Sequence, residues 1–219
     1  MQYLYIVIFF VVLAQSAFGQ QYYSDNSDYG STIGVNRPEN EGNKGKLSMG
    51  FNYNIAKPKG DFENYISANS LTGASIDLTY FATENLSLGV MAGYQYFTEK
   101  QEDVVTYGDD GFWKGTQFRN VFAVPVLAKA DYHFINKSSF SAYVGSGAGV
   151  ALIRKEIEVS KYISVESGAK FMLKPEMGVM LKIYENIFIN IGVDYNHIFN
   201  AGSEGDLGYM GAAVGLVIR

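Results

Sequence analysis

Asp77, Lys129, Asp131, Lys174, Glu176, Lys182 and Asp194 are the residues of this chain whose spacing could do chemistry. Within their segments, each stands at the parity opposite to the large apolar side chains. Side chains alternate faces along an extended strand, so all seven would project into one shared interior. Carboxylates and ammonium groups gathered there could form an ion-selective ring, serve as catalytic acids, or pair with one another and close the space. Pairing is the expectation, because buried opposite charges offset their own desolvation only when paired and hydrogen-bonded.

Other candidate chemistry is thin. His133 and His197 are the only histidines. His133 falls at the end of its predicted strand, while His197 follows Tyr195 on the apolar face near the opposite rim, where an amphipathic ring suits an interface. No serine nucleophile elbow or His-Glu-x-x-His pair accompanies either, so no catalytic residue is expected and the chain reads as a non-enzyme. Gly145-Ser146-Gly147-Ala148-Gly149 lacks the strand-then-helix context of a phosphate loop; its glycines alternate inside one strand, where they would let it curve. Glu99, Glu102, Asp103, Asp109 and Asp110 match no calcium loop, so neither a metal site nor a cofactor is expected. Tyr107, Phe112 and Trp113 stand among these acids and are the candidate loop contacts, since exposed aromatics anchor interfaces.

The elements that must position these residues are strands. Ile187, Ile189, Ile191, Val193 and Tyr195 share one face of the cleanest segment, and Asn190, Gly192 and Asp194 share the other. Similar alternation predicts strands near 47–56, 73–81, 86–97, 118–134, 140–153, 169–183, 187–195 and about 210–218. The predicted connections alternate long and short: a loop opened by Lys57-Pro58-Lys59-Gly60-Asp61, the turn 82–85, the longest loop 98–117, the turn 135–139, the loop 154–168, the turn 184–186 and the loop 200–206. An apolar outside and a polar inside invert the pattern of a soluble barrel. Backbone polar groups in lipid must all be paired, which leaves a spanning sheet no option but closure. The predicted fold is all-β, an eight-stranded antiparallel up-and-down transmembrane β-barrel over 46–219.

Residues 1–19 carry no charged side chain and end in Ala17-Phe18-Gly19, which reads as a signal peptide. Residues 20–45, polar and without period, would form a flexible periplasmic N-terminal segment. The absence of cysteine excludes disulfides, thiolate metal sites and an acyl anchor on cysteine. A net charge of −5 argues against nucleic acid as a partner. Twenty-four glycines and 15% aromatic residues suit a small barrel with tyrosine and phenylalanine at its interfaces.

The strand-turn-strand unit Asp77-Leu78-Thr79-Tyr80-Phe81-Ala82-Thr83-Glu84-Asn85-Leu86-Ser87-Leu88-Gly89, with Val124-Pro125-Val126-Leu127-Ala128, resembles the small outer-membrane β-barrels grouped as OmpA/OmpX-like or "porin family", especially those of Bacteroidetes. The final Val217-Ile218-Arg219 departs from the aromatic ending common in that family. The resemblance implies the bacterial outer membrane as location and its lipid as partner. Activities in that family are mixed, so two functions are expected as alternatives. One is a structural or surface-interaction protein whose four extracellular loops meet an extracellular or envelope protein. The other is a narrow porin or transport accessory for small solutes. A lipid-modifying enzyme would need a catalytic set that is not visible.

Overall fold

Alternation of large apolar and small or polar residues carries each predicted segment into an extended strand, and the strands close on themselves. The computed structural model describes residues 42–108, 111–159, 162–199 and 205–219. The strands are β1 (Leu47–Lys59), β2 (Thr72–Phe81), β3 (Leu86–Gly108), β4 (Gly111–Asn136), β5 (Phe140–Val159), β6 (Tyr162–Tyr184), β7 (Ile187–Ile198) and β8 (Leu207–Ile218), with one short helix, α1 (Asp61–Tyr65). Each strand pairs antiparallel with its sequence neighbours, and β1 pairs with β8, giving one closed barrel. The predicted leader and nearly all of the N-terminal segment lie outside the described residues.

The faces fall as the alternation predicts. Phe51, Val90, Val126, Met177, Ile191 and Val214 stand on the outside, each more than 40% exposed. So large an exposed apolar belt would be a liability in water and matches the lipid-facing band of a membrane barrel. Aromatic residues border it. Tyr80, Tyr132, Phe134 and Tyr184 ring one rim, and Tyr53, Tyr94, Phe171 and Tyr195 the other. On β4, Phe122 and Tyr132 mark the two rims; their separation is about 33 Å along the strand, or about 25 Å at a tilt of about 40°, the height of a barrel's apolar band.

Both ends of the described barrel meet at the rim of the short turns, where Gly45 N donates to Phe81 O and Arg219 N to Asn186 O. At the opposite, hairpin end the wall is uneven. β3 and β4 stay paired up to Gly108 opposite Gly111, and β5 and β6 up to Val159 opposite Tyr162. β7 and β8, by contrast, part after Ile198 opposite Leu207. The predicted loops 98–117 and 154–168 are therefore mostly strand, with a bulge between Gln101 and Val104. Above the bilayer both faces of a strand meet water, so the apolar contrast that marks a strand in sequence vanishes while backbone pairing continues. The break predicted after Ala56 comes at Gly60, whose φ of 62° suits glycine and turns the chain into α1.

Candidate functional site

An eight-stranded barrel has an interior just wide enough for side chains, and this one is filled at two levels. The level near the turn end is ionic. Lys129 Nζ lies 2.5 Å from Glu176 Oε1, 3.2 Å from Asp77 Oδ1 and 3.8 Å from Asp131 Oδ2. Lys174 Nζ lies 2.9 Å from Glu176 Oε2 and 3.7 Å from Asp194 Oδ2. Glu176 thus bridges both ammonium groups, and the side chains of all six residues are no more than 15% exposed.

Amides extend this network across the lumen. Asn52 Nδ2 donates to Asp77 Oδ2 at 2.6 Å, Asn190 Nδ2 to Asn52 Oδ1 at 3.1 Å, and the Tyr143 hydroxyl to Asn190 Oδ1 at 3.1 Å. Asn196 Nδ2 donates to Asp194 Oδ1. Asp131 Oδ1 is buried without a hydrogen-bond partner among the described residues. Lys182 does not join. It has the inward parity predicted for it but lies one turn from the rim, beside the irregularity between Lys182 and Tyr184, and its side chain is exposed. Parity sets the face of a residue and not its depth along the axis.

The second level, nearer the hairpin end, is apolar, which the reading of a uniformly polar interior did not anticipate. Phe62 of α1 is 1% exposed and meets Phe97 edge-on at 4.9 Å between centroids and Tyr209 at 6.5 Å. Ile66, Val121, Ile153, Met172, Ile198 and Leu207 complete the layer. The first connection thus folds back into the barrel mouth as a stopper. Its anchor is Glu99, whose carboxylate accepts from the backbone N–H groups of Ser67 and Ala68. A signal existed in neighbouring apolar residues at strand ends, such as Tyr96-Phe97, Val121-Phe122, Leu152-Ile153 and Phe171-Met172, where alternation lapses because both faces are apolar. Between the two levels lies a small cavity of about 20 Å³, room for about one water, lined by Asn54, Ser75, Gln95, Lys174, Asp194 and Tyr209 among others.

The two histidines stand at opposite ends of the barrel. His133 is buried at the turn end, with Nε2 3.0 Å from Ser87 Oγ and Nδ1 2.9 Å from Ser141 Oγ. One ring nitrogen can donate and the other accept, so both serines satisfy the ring. This serine–histidine contact escaped sequence reasoning because it needs the register of β3, β4 and β5. It has no room for a substrate: both serines are 0% exposed, and the rings of Phe81 and Tyr143 wall the histidine at 4.9 and 5.6 Å. His197 stands on the outer face as expected, against Phe199 and 3.1 Å from Asp206 Oδ2. The side chains of Tyr107, Phe112 and Trp113 lie outside the described residues; their backbones pair within the β3–β4 hairpin.

A closed ring of eight antiparallel strands, apolar outside and filled inside, decides the architecture. The fold is that of the small outer-membrane β-barrels. The structure is similar to that of the Neisserial surface protein A, with a TM-score of 0.55 at 17% identity over 79% of this chain and 96% of that one. It is also similar to the outer membrane protein OprG from Pseudomonas aeruginosa, with a TM-score of 0.50 at 14% identity over 81% of this chain and 97% of that one. No protein-family model matches the sequence, and no curated protein matches it at the level of sequence.

Proposed function

We infer that this protein is a non-enzymatic scaffold of the bacterial outer membrane, with a structural or surface-interaction role carried by the connections at its hairpin end. The observation that carries this reading is the double closure of the lumen, by the Phe62 layer and by the network around Glu176. A channel needs a continuous wet path, whereas here packed rings and paired charges succeed one another along the axis. Short turns conventionally face the periplasm, so the hairpins would rise outside the cell and carry Tyr107, Phe112 and Trp113 toward an extracellular or envelope protein ligand. On this reading residues 1–19 are a signal peptide and 20–45 a periplasmic segment, with outer-membrane lipid around the belt. A closer kinship with the OmpA/OmpX-like, "porin family" barrels of Bacteroidetes type belongs to the same reading, supported by the segments Asp77–Gly89 and Val124–Ala128.

The small polar cavity between the closures favours one second reading, a narrow porin or transport accessory, since movement of either closure would connect it to water. Conductance of the purified barrel in planar bilayers separates the two. A scaffold shows no steady ohmic conductance, either as wild type or as Phe62→Ala, in which the ionic level remains. A steady open current in the wild type would establish the porin instead.

A further inference from the structure

The ionic level does not balance. Asp77, Asp131, Glu176 and Asp194 bring four carboxyl groups to it, whereas Lys129 and Lys174 bring two ammonium groups. Fully ionised, four against two would leave two negative charges in excess among side chains no more than 15% exposed. A confined charge is costly unless it is paired, and a carboxyl group can avoid the cost by keeping its proton.

The four carboxyl groups are not equally held. Asp77 accepts from Lys129 Nζ at 3.2 Å and from Asn52 Nδ2 at 2.6 Å. Glu176 is met by Lys129 at 2.5 Å and by Lys174 at 2.9 Å, and Asp194 Oδ1 accepts from Asn196. Asp131 is left bare. Lys129 Nζ stands 3.8 Å from its Oδ2, beyond hydrogen-bond reach, and its Oδ1 is buried and receives no hydrogen bond among the described residues.

That oxygen lies in the gap left by Gly145, where a Cβ would clash with it. Glu176 stands opposite the same glycine from β6, so Oδ1 reaches across β5 and the two carboxyl groups are in hydrogen-bonding contact. Two carboxylates are both acceptors and repel one another, whereas a carboxylic acid donates its O–H to a carboxylate. Oxygens so close leave space between them for a proton and for no larger cation.

We propose that Asp131 is a proton-binding site: in the folded barrel at neutral pH it is a carboxylic acid whose Oδ1–H donates to Glu176. The proton comes from water as the strands close around the level, because an aspartate of the unfolded chain is ionised at that pH. The other titratable groups facing Asp131 do not replace it. His133 on its own strand is taken by Ser87 and Ser141, Tyr143 of β5 donates to Asn190, and β3 presents Ser87 at the opposite position. The proton sits there in a scaffold and in a porin alike, so conductance does not bear on it.

Infrared spectra of the full barrel at neutral pH, folded in a detergent free of carbonyl groups, test this. The carbonyl stretch of a protonated carboxyl, well apart from that of a carboxylate, should be present and should shift when the aspartate side-chain carboxyls carry 13C, a measurement that needs no variant. The band should be lost in Asp131→Asn. That variant should keep the wild-type urea midpoint, since its Nδ2–H replaces the O–H donated to Glu176, whereas Asp77→Asn, which removes an ionised acceptor of Lys129 and Asn52, should lower it. Absence of the band in the folded wild type, a band indifferent to the aspartate label, its persistence in Asp131→Asn, or a midpoint that falls as far in Asp131→Asn as in Asp77→Asn overturns the proposal.

Discussion

Lys129 and Glu176 meet at 2.5 Å although their strands, β4 and β6, are separated by β5. They can do so because the β5 residues between them are glycines: Gly147 lies opposite Lys129 on one side and Lys174 on the other, and Gly145 lies opposite Asp131 and Glu176. The glycine motif that failed as a phosphate loop is thus a gap in the lumen lining through which charges on alternate strands reach each other.

The two glycines should tolerate a methyl group unequally. A Cβ on Gly147 would first meet the Leu127 side chain at 3.1 Å, which can shift, whereas one on Gly145 would meet the Ala130 backbone oxygen at 2.7 Å and crowd the Asp131 carboxylate. Gly145→Ala should cost about 1–3 kcal/mol, as overpacking does, and Gly147→Ala distinctly less. Urea unfolding of the two variants in the same lipid measures the difference, and equal midpoints would refute the gap.

Glu176→Ala should weaken the ionic level. It removes the carboxylate that joins the two ammonium groups but leaves Lys129 with Asp77 and Asp131 and Lys174 with Asp194, so the loss should fall below the about 3–5 kcal/mol of a buried charge left wholly unpaired. Glu102→Ala, which removes only an exposed partner of Lys100, should leave the unfolding midpoint nearly unmoved.

Depth in the bilayer should set the cost of an arginine on the outside. Ile191, 47% exposed in the belt and opposite Val179 and Val214, sits far from either rim, whereas Tyr184 borders the turn end. Ile191→Arg should cost about 2–4 kcal/mol and Tyr184→Arg about 0–1 kcal/mol. Folding yields in liposomes test this, and equal yields would misplace the belt.

How much of this was open to sequence reasoning follows from which contrasts are local. The lipid face was legible because every second residue of segments such as Ile187–Tyr195 must be apolar. Asp77, Lys129, Asp131, Lys174, Glu176 and Asp194 could be set on one face by parity alone, but which of them touch depends on strand register and on the glycines of β5. α1 is too short to show a helical period, and the strands above the bilayer have lost the contrast that reveals a strand. The exposure of Lys182 is a matter of height along the axis, which parity does not encode.

The stopper should respond to acid. Burial acts to raise the Glu99 carboxyl, but the backbone N–H groups of Ser67 and Ala68, with Gln101 and the Ser67 hydroxyl, outweigh it and hold the group below its ordinary 4.5. A depressed carboxyl contributes stability that is present above its unfolded value and lost as pH falls through the folded one. Protection of the Ser67 and Ala68 amides, taken relative to their intrinsic exchange rates, should therefore be full at neutral pH and fall as acid takes the group below its ordinary range. In Glu99→Gln this loss of protection with acid should disappear.

The seam between β1 and β8 runs from Met49 opposite Ile218 to Lys59 opposite Gly208, the first and last strands of the barrel. No intermediate can be half closed in any useful sense: until the last strand is synthesised and delivered, β1 offers a bare row of amides and carbonyls to whatever it meets. Contacts so distant along the chain make assembly slow, and a missing partner at the seam invites pairing with the wrong molecule. For this protein the hazardous interval is the one before insertion, when all eight strands exist and none has yet been joined into a ring.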